Sequence, residues 1–366
     1  MPRKLSYQDM QDLISGALIL GCGGGGDPVM GHAMVEEVFS KGKEFSLLDP
    51  KELGLDDWVC ILGHVGGGVE PREKEMVKDL HRIWPNPILI AEQELATYMK
   101  VEFRAYLSSE IGAVNTVLPL YVAALFGKSV IDGDAAGGRA KPELFISTTN
   151  LFRIPATPIA LANYFGESMI LKNSSSDTRA EEICRYLARV SGGRVAAARC
   201  PSQGKQILPA IHPYSVSLAI QAGRVIREKK ERAVDAVTEV LKGSKRFIGR
   251  IESFSREEKG GFMWGEIYLK GIQKFSGDKL KIWYKNENLI AWKNDVLEIT
   301  CPDAIVILDA QTGKGLYNWG DHFYQGREVA VIGIPAAICW NSSRGHEIFG
   351  PQHFGFNFRP KQIQTD

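Results

Sequence analysis

The sequence predicts an α/β N-terminal domain followed by a β-rich α+β C-terminal domain, and three observations carry that prediction. In the first half, short apolar segments alternate with stretches of helical periodicity, as expected of strands covered on both sides by helices. Two of those segments run into glycine-rich loops at residues 63–71 and 132–143, and in α/β sheets ligands gather at the carboxyl ends of strands. From residue 247 onward, seven segments rich in branched and aromatic residues follow one another between turn signals. The boundary is set beside the polar, turn-like Asn173-Ser174-Ser175-Ser176, giving domains over 1–168 and 169–366.

In chain order, residues 7–20 place Met10, Leu13, Ile14 and Leu18 on one face of a helix, whose last residues also suit a short strand. They lead into Leu20-Gly21-Cys22-Gly23-Gly24-Gly25-Gly26-Asp27-Pro28, with five glycines in six positions. A run without Cβ atoms is expected where backbone comes close to a ligand rather than where side chains pack. Asp27 reads as an N-cap and Pro28 as the first-turn proline of a helix over 28–39, so free N–H groups would face an anion or polar heterocycle here.

Residues 45–48 and 57–62 are expected as strands, 72–83 as helix, 87–90 as a third strand and 91–98 as the start of a helix. Residues 110–126 read as a strongly apolar helix and 129–131 as a strand. Beyond the boundary, 178–189 and 213–230 are expected as helices and 194–199 as a strand. The tail strands are 247–254, 261–270, 279–284, 289–292, 296–300, 304–308 and 328–334.

Composition excludes several classes. Forty-four basic against forty-three acidic residues leave a net charge of +1, so no nucleic-acid surface is expected. The first residues lack the apolar run of a signal peptide, and the longest apolar stretch, 117–126, contains Pro119, so a cytoplasmic protein without membrane contact is expected. Six cysteines without a C-x-x-C pair argue against a disulfide framework and a zinc ribbon. The expected partner is a small-molecule substrate, with a homo-oligomer expected only as the base rate.

The glycine run satisfies G-x-G-x-x-G, with Asp49 as the ribose acceptor of a dinucleotide site, but the segment before it reads as helix rather than strand. Cys22 is either a nucleophile beside a helix N-terminus or a small buried residue. His64, between a strand and a glycine loop, suits a general base, a metal ligand or a structural role. Asp132 and Asp134 end a strand among glycines, where they suit a divalent cation or an attacking water; otherwise they pair with Arg139. Arg139 is then a clamp or a bidentate receptor for a carboxylate. His353 lies among aromatics and reads as packed.

Taken together, residues 20–28 (LGCGGGGDP), 110–120 (EIGAVNTVLPL), 132–144 (DGDAAGGRAKPEL), 215–223 (SVSLAIQAG) and 350–355 (GPQHFG) resemble a family first catalogued as a domain of unknown function and later named for S-methyl-thiohydantoin desulfurase. Cys22 stands where that family usually has threonine, and the loop 63–71 differs from its usual form. The resemblance implies an α/β domain, a β-rich domain and a link to hydantoin and oxoproline metabolism.

The expected activity is that of a hydrolase on a hydantoin-like or S-alkyl-thiohydantoin ring, with water attacking a ring carbon and a thiolate or nitrogen leaving. Asp132 and Asp134 are the candidate catalytic groups, with His64 and Glu94 in reserve. Cys22, Gly23, Gly24, Gly25, Gly26, Asp27, Asn115 and Arg139 are the candidate substrate-binding residues. The cofactor is left open; a divalent metal such as zinc would draw on Asp132, Asp134 and His64. The alternatives are a non-catalytic ring-binding subunit of a hydantoinase- or oxoprolinase-type assembly and, third, a dinucleotide-dependent oxidoreductase.

Overall fold

The computed structural model describes residues 2–363. The first sheet is built from β1 (Arg3–Leu5), β2 (Phe45–Leu48), β3 (Trp58–Gly66), β4 (Ala105–Ser108), β5 (Ser129–Asp134), β6 (Ile159–Ala162), β7 (Ser168–Leu171), β8 (Arg194–Gln203) and β9 (His212–Pro213). Its order is β1-β2-β5-β4-β3-β8-β6-β7, with β9 beside β5. The centre β2-β5-β4-β3 is parallel and the flanks are antiparallel. Helices Tyr7–Leu20 and Val117–Phe126 cover one face around Cys60, Leu62, Tyr106 and Val130. Toward the β6 edge, helix Asp177–Val190 packs on Val65, Leu161 and Ala197. Burial on both faces explains why β3 is nearly all apolar.

The second sheet is antiparallel and comprises β10 (Ser244–Phe254), β11 (Glu257–Lys259), β12 (Phe262–Gly271), β13 (Lys279–Lys285), β14 (Glu287–Lys293), β15 (Val296–Thr300), β16 (Ala304–Asp309) and β17 (Glu328–Ile334). Its order is β15-β14-β13-β12-β10-β17-β16, with β11 on β12. Phe247, Ile267, Ile282 and Val331 form its core. The expected α/β plus β-rich architecture is thus what the chain adopts.

The first sheet continues past residue 169 through β8 and β9, and the chain passes to the second sheet between residues 213 and 244. Residues 87–90 are not a strand but the first turn of helix Pro87–Met99, where Pro87 occupies a position whose N–H would be unpaired anyway. The helix expected from residue 110 begins at Val117, and residues 110–116 form a loop held by backbone bonds to Gly25. The end of helix Tyr7–Leu20 is helical throughout. No helix of the described residues is long and apolar enough to cross a membrane.

Candidate active site

A cavity of about 330 Å³ opens where the ends of β3 and β4 and the segment after β5 meet the β13–β14 turn. The glycine run forms one side, but chiefly as a packing device. A Cβ at Gly25 would lie 2.5 Å from the Gly112 Cα, one at Gly26 2.5 Å from the Val114 Cβ, and one at Gly23 2.3 Å from the Asn318 amide. The carbonyls of Cys22 and Gly23 accept the N–H groups of Asn288 and Asn318 at 2.8 Å each. Gly25 carbonyl accepts from Val114 and Asn115. The run therefore seals one domain against the other, contrary to the expectation that packing plays no part. Gly25 and Gly26 alone of it line the cavity.

Cys22 is fully buried behind this surface, its Sγ 3.4 Å from the Leu20 carbonyl, and burial pushes its thiol up to about 11. It is a small packed residue and not an exposed thiolate. Asp27 caps helix Pro28–Ser40 by accepting from Val29 N–H at 2.9 Å.

The two aspartates lie outside the cavity. Asp132 accepts from the Ser217 N–H at 3.0 Å and its hydroxyl at 2.5 Å, within the first turn of helix Ser215–Glu228. Asp134 is wholly enclosed and accepts from Ala136 N–H at 2.5 Å and Gly138 N–H at 2.9 Å; burial raises its carboxyl. Glycines crowd this turn because Asp134 organises its backbone. Arg139 pairs with neither aspartate and does not line the cavity. Its guanidinium donates to the carbonyls of Asp303 at 2.6 Å, Pro302 at 3.0 Å, Ala140 at 3.1 Å and Asn288 at 3.3 Å. It is an interdomain clamp. Glu94 is exposed on helix Pro87–Met99.

His64 and Asn115 do line the cavity. Enclosure and the neighbouring Arg194 guanidinium hold the imidazole neutral, pushing it down to about 3. Asn115 donates to Glu110 Oε1 at 2.5 Å. Metal candidates Asp132, Asp134 and His64 do not converge, and among the described residues no three His, Cys, Asp or Glu side chains come together as ligands. The residues present do not fit a divalent ion.

The charged centre of the cavity comes from residues outside the candidate catalytic and substrate-binding set. Lys141 Nζ lies 3.6 Å from Glu110 Oε2 and donates to Ser109 Oγ at 3.4 Å, with both Lys141 and Glu110 buried. Arg199 donates to the same Ser109 hydroxyl at 3.1 Å. Burial, reinforced by Arg199, lowers the Lys141 ammonium against the opposing pull of Glu110. Glu287, from the C-terminal domain, is 3% exposed, and its Oε2 has no hydrogen-bond partner among the described residues; nor has Arg199 Nη1. Burial, then the Glu110 charge, pushes the Glu287 carboxyl well above the usual range. Glu143 bonds His353 Nε2 at 3.0 Å and Lys285 Nζ, tying the block 132–144 to the block 350–355.

Such an arrangement gathers an ammonium, a hydroxyl and a guanidinium in one cavity with a carboxyl whose proton burial helps to retain. It can polarise a polar substrate and move a proton. Lys141 and Glu143 were within a block singled out in the sequence; Asn286 and Glu287 had no signal beyond a polar Lys-Asn-Glu-Asn turn between strands.

A crystal structure of a protein from Chromobacterium violaceum superposes with a TM-score of 0.79 at 22% identity, over 99% of this chain and 100% of that one, which establishes a shared fold. No curated protein matches the sequence. The model of the S-Me-THD-like N-terminal domain matches residues 8–173 and that of the S-Me-THD-like C-terminal domain residues 175–363. The chain belongs to the S-Me-THD-like family.

Proposed function

We propose that the protein is a hydrolase acting on a hydantoin-like ring, in the first instance an S-alkyl-thiohydantoin, and that the reaction takes place in the cavity between the domains. The observation that carries this reading is Glu287: a buried carboxyl with an unpartnered oxygen, facing a cavity that also holds Lys141, Ser109 and Arg199. A carboxyl raised by burial is suited to proton transfer near neutral pH.

On this reading Glu287 takes a proton from water as the oxygen attacks the ring carbon bearing sulfur. Negative charge gathering on the ring nitrogen is met by the Lys141 ammonium, whose position is fixed by Glu110. Collapse of the adduct expels the alkylthiolate, which leaves as the thiol with the proton that Glu287 returns. Ring and water thus become hydantoin and thiol, with no redox change. Arg194 and the neutral His64 supply donors for the polar edge of the ring, the receptor role expected of Arg139. The proposed catalytic roles therefore lie at the domain junction and not with the β5 aspartates.

The test is turnover of a panel of hydantoins and S-methyl-thiohydantoins, following thiol release and ring opening. Thiol release that depends on Lys141 supports the reading. Silence on the whole panel removes it and favours the ring-binding subunit.

A further inference from the structure

The mechanism above leaves one wall of the cavity without a task. Tyr317 and Trp319 both line it, and their rings stack with centroids 5.0 Å apart and planes inclined by 27°. Trp319 also packs against the core of the second sheet. His322 meets Tyr317 edge-on at 6.1 Å, and its Nδ1 accepts the Tyr317 N–H at 3.3 Å. Between the two rings in sequence, Asn318 is fully buried and donates to the Asn286 carbonyl at 2.8 Å and to Asn288 Oδ1 at 3.2 Å. The tyrosine ring is thus fixed from behind and beside.

Most of the remaining lining is charged side chain or glycine backbone, so a fixed aromatic ring is out of character there unless something flat lies against it. Aromatic faces favour offset contact with another planar π system. Hydantoin and S-alkyl-thiohydantoin rings are planar, with four of the five ring atoms in one conjugated system, whereas a saturated lactam of equal size is puckered by three adjoining methylenes.

We infer that Tyr317, backed by Trp319, is the specificity-determining platform of this site, selecting planar conjugated five-membered rings over puckered saturated lactams. The inference rests on the hydrolase reading for the identity of the ring. Its effect falls on binding, because stacking is made in the ground state and the transition state alike.

The experiment uses the full chain: calorimetric titration with hydantoin and with 2-pyrrolidinone, and steady-state kinetics on an S-methyl-thiohydantoin, for wild type, Tyr317→Phe and Tyr317→Leu. Loss of an aromatic stacking partner should weaken binding by roughly tenfold or more. Tyr317→Leu is therefore expected to raise KM with little change in kcat, Tyr317→Phe to retain the wild-type KM, and 2-pyrrolidinone to bind far more weakly than hydantoin. Wild-type turnover together with an unchanged KM in Tyr317→Leu, or with equal binding of the two rings, overturns the platform and leaves the hydrolase reading standing. A wild type that neither binds nor converts any ring overturns both. Should Tyr317→Leu fail to fold, the wild-type contrast between hydantoin and 2-pyrrolidinone decides.

Discussion

The carboxyl of Glu287 occupies the space that a side chain at position 24 would need: a Cβ built on Gly24 would lie 1.8 Å from Oε1. A glycine in one domain therefore sets the position of a buried acid from the other. Gly24→Ala is expected to displace Glu287 and suppress turnover more than it lowers stability, because the clash is with the end of a side chain. Gly25→Ala meets the Gly112 backbone at φ +77° and should cost more in stability, on the order of 2–4 kcal/mol. Urea denaturation beside kinetics separates the two effects.

Arg139 holds the domains together by donating to four carbonyls, three of them in the C-terminal domain. Arg139→Met leaves those buried acceptors unpaired and should destabilise the protein by about 3–5 kcal/mol. Arg139→Lys should recover only part of this, since an ammonium cannot reproduce the planar fork. The check is the shift in denaturation midpoint for each variant.

The pH dependence of turnover follows from Glu287. Burial and the Glu110 charge raise its carboxyl, so a base role predicts a rate that climbs with pH through a limb well above the usual carboxylate range. Glu110→Gln removes one of the raising influences, and the limb should move to lower pH. A limb that stays in place separates Glu287 from the proton transfer.

Stability toward acid follows from Glu143. Burial opposes its charge, but the His353 hydrogen bond and the Lys285 ammonium prevail and hold it down to about 2. With a folded value below the unfolded one, its contribution is complete above about 4.5 and is lost as pH falls toward 2. The contribution is about 3 kcal/mol. Stability curves of Glu143→Gln and wild type, measured from pH 5 to about 2, should converge as the pH falls.

The sequence made the two-sheet architecture legible because apolar runs such as 57–62 and the alternating tail strands are local signals. It was less clear where the signal depends on tertiary partners. β4 and β6 are four residues long each, so neither announces itself without the sheet around it. The glycine run was read as a ligand cradle because its true neighbours, Gly112, Glu287 and Asn318, are distant in sequence. Asp132 and Asp134 drew attention as carboxylates among glycines, yet Asp134 bonds the backbone of its own turn and Asp132 the first turn of helix Ser215–Glu228, uses that sequence does not separate from catalysis. Glu287 escaped notice because its importance comes from burial beneath the opposite domain.

One comparison bears on the whole account: thiol release from an S-methyl-thiohydantoin by Glu287→Gln and by Asp134→Asn, each shown to be folded by circular dichroism. The cavity at the domain junction predicts that Glu287→Gln loses turnover by about a hundredfold or more while Asp134→Asn keeps it. Retention of activity in Glu287→Gln together with its loss in folded Asp134→Asn would contradict the account and return the chemistry to the end of β5.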